Sequence, residues 1–170
     1  MVFRHLLSLV LPITAAVLVP GAILWDRSRH TLDLGLNPSA AAAALGLLVL
    51  LAGLLLLAVT VWTLVCIGKG TLAPWDPTLN LVVSGVYGHV RNPMISGVLA
   101  VLLGESLIFG SPGIFAWFVI FFLINQFYIR SLEEPGLVKR FGEEYLEYRA
   151  NVPMWIPRVR PWAPGKGKRE

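Results

Sequence analysis

A long uncharged stretch, residues 34–68, constrains this chain more than any other feature of the sequence. It exceeds the ~20 apolar residues that a helix needs to cross a bilayer. Further apolar runs cover residues 6–25, 93–109 and 113–130. Only 14% of the residues are charged, whereas a soluble domain has roughly 25%. The sequence therefore predicts an all-α, polytopic membrane protein with about four transmembrane helices in one domain, residues 1–170.

The second transmembrane helix is predicted over residues 39–67, because Asn37, Pro38 and Ser39 are signals for a helix start. Its alanine, glycine and leucine residues suit close packing against a neighbouring helix. Residues 110–113 read G-S-P-G, which is typical of a tight turn. The third and fourth helices are therefore expected to form an antiparallel hairpin.

The segment after the fourth apolar run mixes charged and apolar residues with a helical period. Its apolar side chains, at spacings of four, four and three, are Leu137, Phe141, Tyr145 and Tyr148. Lysine, arginine and glutamate residues fill most of the other positions. This pattern predicts an amphipathic helix over residues 135–150 that lies on the membrane or against the helix bundle.

A proline follows the fourth apolar run closely. Pro135 disfavours helical backbone at the residue before it, so the fourth helix is predicted to break or bend there. Two neighbouring carboxylates, Glu133 and Glu134, would then lie at a helix boundary near the membrane surface.

The basic residues are concentrated in the carboxyl-terminal part of the chain, where nine of the fourteen lysine and arginine residues lie from Arg130 onward. Because basic segments favour the cytoplasmic side, four spans place both termini in the cytoplasm. The connection between the second and third helices then lies on the same side as Glu133 and Glu134. The proline-rich tail is expected to be extended and interfacial over residues 153–164, and disordered over residues 165–170.

That connection ends in a polar motif, S-G-V-Y-G-H-V-R-N-P-M-I-S-G at residues 84–97. It offers Tyr87, His89, Arg91 and Asn92 within six residues. Taken alone, it suits a polar loop whose Arg91 reaches the lipid headgroups. Its predicted position at the same membrane level as two carboxylates favours a functional site instead.

The residue types indicate the kind of ligand that such a site would take. The arginine fork binds carboxylates, glutamates accept hydrogen bonds from ammonium or sugar hydroxyl groups, and aromatic faces attract a positive centre. A zwitterion, or a cation that carries a carboxylate, meets these requirements. S-adenosylmethionine has all of these groups, and a phospholipid headgroup shares several of them.

Two blocks carry a resemblance to a known family. Residues 86–97 read V-Y-x-x-V-R-N-P-M-x-x-G, and residues 133–148 read E-E-P-x-L-x-x-x-F-G-x-x-Y-x-x-Y. Together, in this order and separation, they resemble the superfamily of isoprenylcysteine carboxyl methyltransferases and phospholipid N-methyltransferases. The resemblance extends over residues 70–162.

The resemblance implies an S-adenosylmethionine-dependent membrane methyltransferase with a cytoplasmic cofactor site, in which Arg91 and Glu134 are catalytic. The implied cofactor-binding residues are Tyr87, Arg91, Asn92, Pro93, Glu133, Glu134, Tyr145 and Arg149. The implied acceptor is a membrane lipid or a small amphiphile, which reaches the site laterally from the membrane. No metal and no nucleic-acid partner is expected, and the single cysteine, Cys66, excludes an internal disulfide and a cysteine-rich metal site.

Some positions depart from the family pattern, and other functions stay open. Ile95 stands where an aromatic residue is usual, Asn92 where the carboxyl methyltransferases tend to have histidine, and Met154 where arginine is common. The first alternative to a methyltransferase is a NAD(P)H-dependent membrane lipid reductase with a similar helical core. The second is a non-catalytic membrane subunit that keeps the fold, and Ile95 favours this interpretation.

One carboxylate lies inside the third apolar run. Glu105 is a functional candidate because an ionisable residue within a membrane helix is costly. It also lies close to the turn at residues 110–113, so its side chain has the alternative of reaching the headgroups. For an amine acceptor, Glu105, Glu133 or Glu134 would take the proton.

Overall fold

The computed structural model describes residues 10–27, 37–68 and 80–164 of the chain. All regular secondary structure in these ranges is helical, which confirms the predicted all-α class. The predicted disorder of residues 165–170 and the first four residues of the predicted span 6–25 lie outside the described residues.

Five helices follow one another in the described residues, and some consist of more than one segment. They are α1 (Val10–Ile13, Thr14–Leu18 and Val19–Arg27), α2 (Ala40–Thr63, extended by Leu64–Gly68), α3 (Pro93–Ile108), α4 (Pro112–Tyr128, extended by Ile129–Glu133) and α5 (Glu134–Asn151). The π-helical turns are Thr14–Leu18, Leu64–Gly68 and Ile129–Glu133. A short 3-10 turn, Gly85–Gly88, lies in the connection between α2 and α3.

Two of these helices are long and apolar enough to cross a membrane. They are Ala40–Cys66 and the helix that runs from Pro112 to Asn151. The apolar helices Val10–Asp26 and Pro93–Ile108 are shorter. The 16 residues of α3 extend ~24 Å at the ~1.5 Å rise of a helix, less than the ~30 Å of a hydrocarbon core.

Helices α2 and α3 pack so closely that their backbones touch. A Cβ atom on Gly53 would lie 2.8 Å from the carbonyl oxygen of Gly97, and one on Gly46 would lie 2.8 Å from that of Gly104. The pairing order is antiparallel, because the later glycine of α2 meets the earlier glycine of α3. Small residues at matched positions permit this close approach.

Helix α1 packs against α4 in the antiparallel sense. Gly113 lies against Ile23, and the Trp117 indole N–H donates a hydrogen bond of 2.9 Å to the carbonyl oxygen of Ala15. That carbonyl lies in the first π turn, five residues before Pro20. Proline has no N–H to close this bond, so the carbonyl can accept from the neighbouring helix instead.

Of the predicted break or bend at Pro135, the break is wrong, because the helix continues through this residue. The turn Ile129–Glu133 is π-helical, the N–H of Glu134 bonds to the carbonyl oxygen of Ile129, and Glu134 has helical angles of φ −60° and ψ −45°. The wider turn shifts the carbonyl groups that a proline ring would meet in a regular helix. The same order, a π turn followed by one residue and a proline, occurs in α1 at Pro20.

The backbone of α5 leaves the helical region further along, at Gly142 (φ 53°, ψ −129°). The predicted amphipathic helix therefore consists of two helical parts with a kink between them. Its apolar face turns toward the rest of the protein, because Tyr145, Tyr148 and Val152 are buried in a cluster that includes Trp162.

Candidate active site

The start of α3 and the junction of α4 with α5 meet at one end of the helix bundle. There Arg91 Nη1 lies 2.5 Å from Glu134 Oε1. Both side chains are largely buried, with exposed fractions of 12% and 11%. The salt bridge therefore joins the two sequence blocks in a setting that solvent screens only weakly.

Glu134 is shared between two guanidinium groups. Its other oxygen, Oε2, lies 3.6 Å from Arg149 Nη1, whose side chain is 44% exposed. The Tyr145 hydroxyl lies 3.4 Å from Arg91 Nη1 and is the second partner of that nitrogen. Four of the predicted site residues thus form one contact network: Arg91, Glu134, Tyr145 and Arg149.

The neighbouring carboxylate has a different environment. Within the described ranges Glu133 makes no salt bridge. Burial, and then the charge of Glu134, raise the pKa of Glu133 above its ordinary value. The paired carboxylates predicted from the sequence are therefore inequivalent: Glu134 is held by arginines, whereas Glu133 lies at the edge of the network and has a raised pKa.

Two buried polar atoms near the start of α3 have no hydrogen-bond partner in the described part of the chain. They are Arg91 Nε and Ser96 Oγ. A buried polar group without a partner costs ~1–3 kcal/mol, so a polar ligand that bonds to these atoms would be stabilised. Ser96 was not predicted as a site residue from the sequence. The signal that could have identified it is its position one helical turn after Asn92, and the Ser96 N–H donates a hydrogen bond to the Asn92 carbonyl oxygen.

Asn92 and Pro93 form the entrance to α3. Pro93 is the first residue of the helix and is fully buried. Asn92 precedes it with φ −120° and ψ 59°, and its side chain makes no capping hydrogen bond. Asparagine usually caps a helix start, so here the amide is left for another partner.

Two tyrosines of α5, Tyr145 and Tyr148, contact residues of the motif. The Tyr148 hydroxyl donates a hydrogen bond of 2.8 Å to the carbonyl oxygen of Tyr87, and the Tyr148 ring packs against Tyr145 and Trp162. Burial raises the pKa of Tyr87 and Tyr148, and it raises the pKa of Tyr145 to about 12. All three hydroxyl groups are therefore neutral at physiological pH. Tyr148 is a positioning residue, whereas the sequence pattern placed it only on the apolar face of the amphipathic helix.

The tail forms a strap over the motif, which we define as residues 153–162. The Arg91 N–H bonds to the carbonyl oxygen of Pro153 at 2.9 Å, and the Trp162 N–H bonds to that of Gly88 at 2.8 Å. A Cβ on Gly88 would lie 2.9 Å from the Trp162 carbonyl oxygen, so the strap fits closely only against glycine. The tail, predicted as interfacial, is thus bonded to the candidate site.

His89 and Arg158 close the middle of the strap. The Arg158 N–H bonds to the carbonyl oxygen of His89 at 3.0 Å, and His89 Nδ1 lies 2.7 Å from the Arg158 carbonyl oxygen. The Arg158 guanidinium bonds to the carbonyl oxygen of Asn151 at the end of α5. The histidine of the motif therefore has a structural partner in the strap.

Comparison with known proteins gives the family. A sequence model of the family named phospholipid methyltransferase matches residues 41–144, which is more than half of the chain. The chain belongs to the phospholipid methyltransferase family. The family match contains α2, α3, α4 and the Arg91–Glu134 salt bridge, whereas α1, Arg149 and the strap lie outside it.

Curated relatives of this family member are also methyltransferases. The chain is 34% identical over 82 residues to protein-S-isoprenylcysteine O-methyltransferase of Schizosaccharomyces pombe, which covers 46% of this chain and 34% of that protein. It is 34% identical over 77 residues to methanethiol S-methyltransferase 2 of Bradyrhizobium diazoefficiens (44% and 27%), and 35% identical over 86 residues to the Homo sapiens protein-S-isoprenylcysteine O-methyltransferase (49% and 29%). The matched part of the chain thus spans about a third or less of the length of these relatives.

Proposed function

We propose that this protein transfers the methyl group of S-adenosylmethionine to a lipid or another small amphiphile in the membrane. The observation that carries the proposal is the Arg91–Glu134 salt bridge, which joins the two family blocks beside an Arg91 Nε that has no partner among the described residues. The relatives named above, which methylate oxygen or sulfur according to their names, support the reaction class.

The residues at the site suit the polar groups of S-adenosylmethionine. Arg91 Nε is a buried donor without a partner in residues 10–27, 37–68 and 80–164, and a carboxylate is the acceptor that a guanidinium binds best. Glu133 forms no ion pair with an arginine of these ranges and suits an ammonium group or the ribose hydroxyls. We assign Tyr87, Asn92 and Pro93 to the walls of the cofactor site, with Tyr145 and Arg149 at its far side. Glu134 acts by holding the Arg91 guanidinium in place.

When bound, S-adenosylmethionine would supply an activated methyl group: the electron pair of the acceptor would bond to the methyl carbon as the carbon–sulfur bond breaks, and the sulfur would leave as a neutral thioether with the bonding pair. The protein has to align the acceptor with this group and exclude water from it. The neutral tyrosines and the strap exclude water on the polar side. An acceptor carboxylate or thiolate needs no base, whereas an amine must lose a proton. The raised pKa of Glu133 suits this carboxylate to accept the proton of an amine.

We further propose that α1, α2, α3 and α4 all cross the membrane, although α1 and α3 are the shorter helices. Both lack the charged residues of a solvated helix surface over most of their length, and each is antiparallel to a long neighbour. With four crossings, the site and both ends of the chain lie on the cytoplasmic side, where the basic tail favours them.

The acceptor is expected to arrive from the bilayer, because the site lies at the ends of apolar helices where a polar headgroup can meet a water-soluble cofactor. Little of the described chain stands outside the bundle to dock a folded protein, whose specific interfaces bury roughly 800 Å² per partner. A lipidated peptide would enter by the same route, since its anchor behaves as a lipid.

The two alternative functions have weaker support. The relatives named above are methyltransferases, and none of these is a reductase. A non-catalytic subunit has Ile95 in its favour, and Ile95 lies half-buried in the first turn of α3.

Membranes that contain the protein, incubated with methyl-labelled S-adenosylmethionine and extracted with organic solvent, test the proposal. Label in the lipid phase is the expected result. Label confined to polypeptide would point to a protein acceptor, and the absence of both transfer and cofactor binding would contradict the proposed function. Cofactor binding without transfer would favour the non-catalytic subunit, and Ile95→Tyr is the variant that tests whether a ring restores turnover.

A further inference from the structure

A groove runs between α1, α2 and α3 beside the candidate site. Its cavity of about 290 Å³ is lined by apolar side chains, such as Ala16 of α1, Leu54 of α2 and Met94 of α3, and by one charged residue, Glu105. Several lining side chains, including Leu54, are about half exposed, so the groove is open toward the surrounding hydrocarbon. The groove depends on α1, which lies outside the family match.

Glu105 is only partly exposed. Its Oε2 atom is buried and has no hydrogen-bond partner in the described part of the chain. Glu105 lines a cavity whose other lining residues are apolar. A carboxyl group in such surroundings can form a hydrogen bond with a polar group of a ligand that occupies the groove.

The groove connects this carboxyl group to the candidate active site. Met94 is the second residue of α3 and lies three positions after Arg91, and Glu105 follows eleven positions later on the same helix face. Eleven residues of helix correspond to ~16 Å. The volume lies at the lower limit of the ~300–1,000 Å³ of small-molecule pockets, so the groove suits one hydrocarbon chain and not the two chains of a phospholipid.

We propose that the groove binds a single-chain amphiphile whose chain carries a hydroxyl group ~16 Å from the part of the chain that passes Met94, with the hydroxyl bonded to Glu105. A hydroxyl both donates and accepts, so it pairs with the carboxyl group in either protonation state. The further assignment of this amphiphile as the methyl acceptor, with its reactive end beside Arg91, rests on the proposed function.

Two photoactivatable probes test the groove in the purified full chain, reconstituted in lipid nanodiscs. One is a long-chain diol with a hydroxyl at each end, and the other is the matched alcohol that ends in a methyl group. We expect the diol to label the wild type about tenfold more than the alcohol, as one additional hydrogen bond predicts. Glu105→Gln should keep this preference because its amide also donates and accepts, whereas Glu105→Leu should abolish it.

Leu54→Trp and Leu55→Trp test whether the probes bind in the groove. Leu54 lines the groove, whereas its neighbour Leu55 does not, and both are exposed. Leu54→Trp should reduce labelling by both probes several-fold, and Leu55→Trp should leave it unchanged. Equal labelling of the wild type by the two probes, or equal labelling of the two tryptophan variants, would overturn the proposal. S-adenosylmethionine binding, measured on the same samples, separates the two questions: diol preference without cofactor binding supports the groove and contradicts the proposed function.

Discussion

Arg91 and Glu134 lie 43 positions apart in the chain and 2.5 Å apart in the structure. Breaking such a buried pair leaves one charge uncompensated. We predict that Arg91→Ala and Glu134→Ala each weaken S-adenosylmethionine binding by about 1.5–3 kcal/mol, or one to two decades in Kd. Because the residues act together, the double variant should lose less than the sum of the single losses.

Calorimetry on the purified protein in detergent measures these affinities. Arg160→Ala is the matched control, because it removes the same charge from an exposed position of the strap. Equal affinity in the wild type and in both site variants, with the fold intact, would remove Arg91 and Glu134 from the cofactor site.

Glu133→Gln tests the second carboxylate through its dependence on pH. Burial raises the pKa of Glu133, so ionisation of this group is less favourable in the folded state than in the unfolded state. Its contribution to stability is therefore fully present below the pKa of the unfolded state and is lost as the pH rises through the higher pKa of the folded state. The variant, which stays neutral, should have a higher Tm than the wild type at pH 8, and the difference should shrink toward pH 4.

A series of thermal melts across this pH range would detect the effect. The same substitution should lower cofactor affinity, since a neutral amide cannot form an ion pair with an ammonium group. A variant Tm below that of the wild type at pH 8 would contradict the assigned environment of Glu133.

Gly142→Ala tests the kink in α5. The φ of 53° with ψ −129° is a conformation that residues with a side chain rarely adopt, so alanine should destabilise the protein by about 1–3 kcal/mol. Gly136→Ala is the control, because a Cβ at either glycine meets nothing within 4 Å and only Gly142 has a positive φ. Denaturant titration should separate the two variants; equal stabilities would argue for a straight helix.

Gly53→Ala tests the contact between α2 and α3. The new Cβ would lie 2.8 Å from the Gly97 carbonyl oxygen, so the helices must separate, at a cost of about 1–3 kcal/mol. Gly21→Ala in α1 should cost little, since its Cβ would meet nothing within 4 Å. Unfolding in mixed detergent micelles gives the comparison, and a Gly53→Ala protein as stable as Gly21→Ala would contradict the close packing.

The membrane orientation is tested with reporter fusions. We predict that a reporter active only outside the cytoplasm is silent when fused within residues 80–92 or after residue 151, and active when fused at the turn between α3 and α4. Four crossings and the basic tail give this pattern. Activity at residue 84 would place the two sequence blocks in different compartments and would exclude a shared site.

The signals at several helix starts act locally. Ser39 caps α2 through a hydrogen bond from the Ala42 N–H, Ser111 caps α4 through the Ile114 N–H, and Pro93 begins α3. The pairing of the two blocks was also accessible, because the short turn between α3 and α4 returns the chain to the level from which it started.

The backbone conformations at Pro135 and Gly142 were harder to predict from the sequence. The rule that proline ends a helix assumes regular α-helical bonding, and the π turn Ile129–Glu133 removes that assumption at Pro135. No periodicity marks a π turn in advance. At Gly142 the reverse holds, since an apparently continuous amphipathic pattern conceals a residue with positive φ.

The strap and the partnerless polar atoms depend on contacts between distant parts of the chain. The bond between the Trp162 N–H and the Gly88 carbonyl joins backbone groups, which no side-chain pattern encodes. Ser96 and Glu105 became informative only when burial showed that they have no partner in the described residues. The sequence shows which polar groups these residues carry, but it does not show which of those groups lack a hydrogen-bond partner among the described residues.

The strap also has a consequence for biogenesis. Residues 153–162 follow every described helix in the chain, and they provide carbonyl groups and N–H groups for the backbone of Gly88, His89 and Arg91. While the chain is being synthesised, the helices can enter the bilayer before these partners exist. The polar end of the bundle would therefore acquire its final form only after insertion, so quality control that samples the nascent chain would meet an open motif with unsatisfied backbone groups.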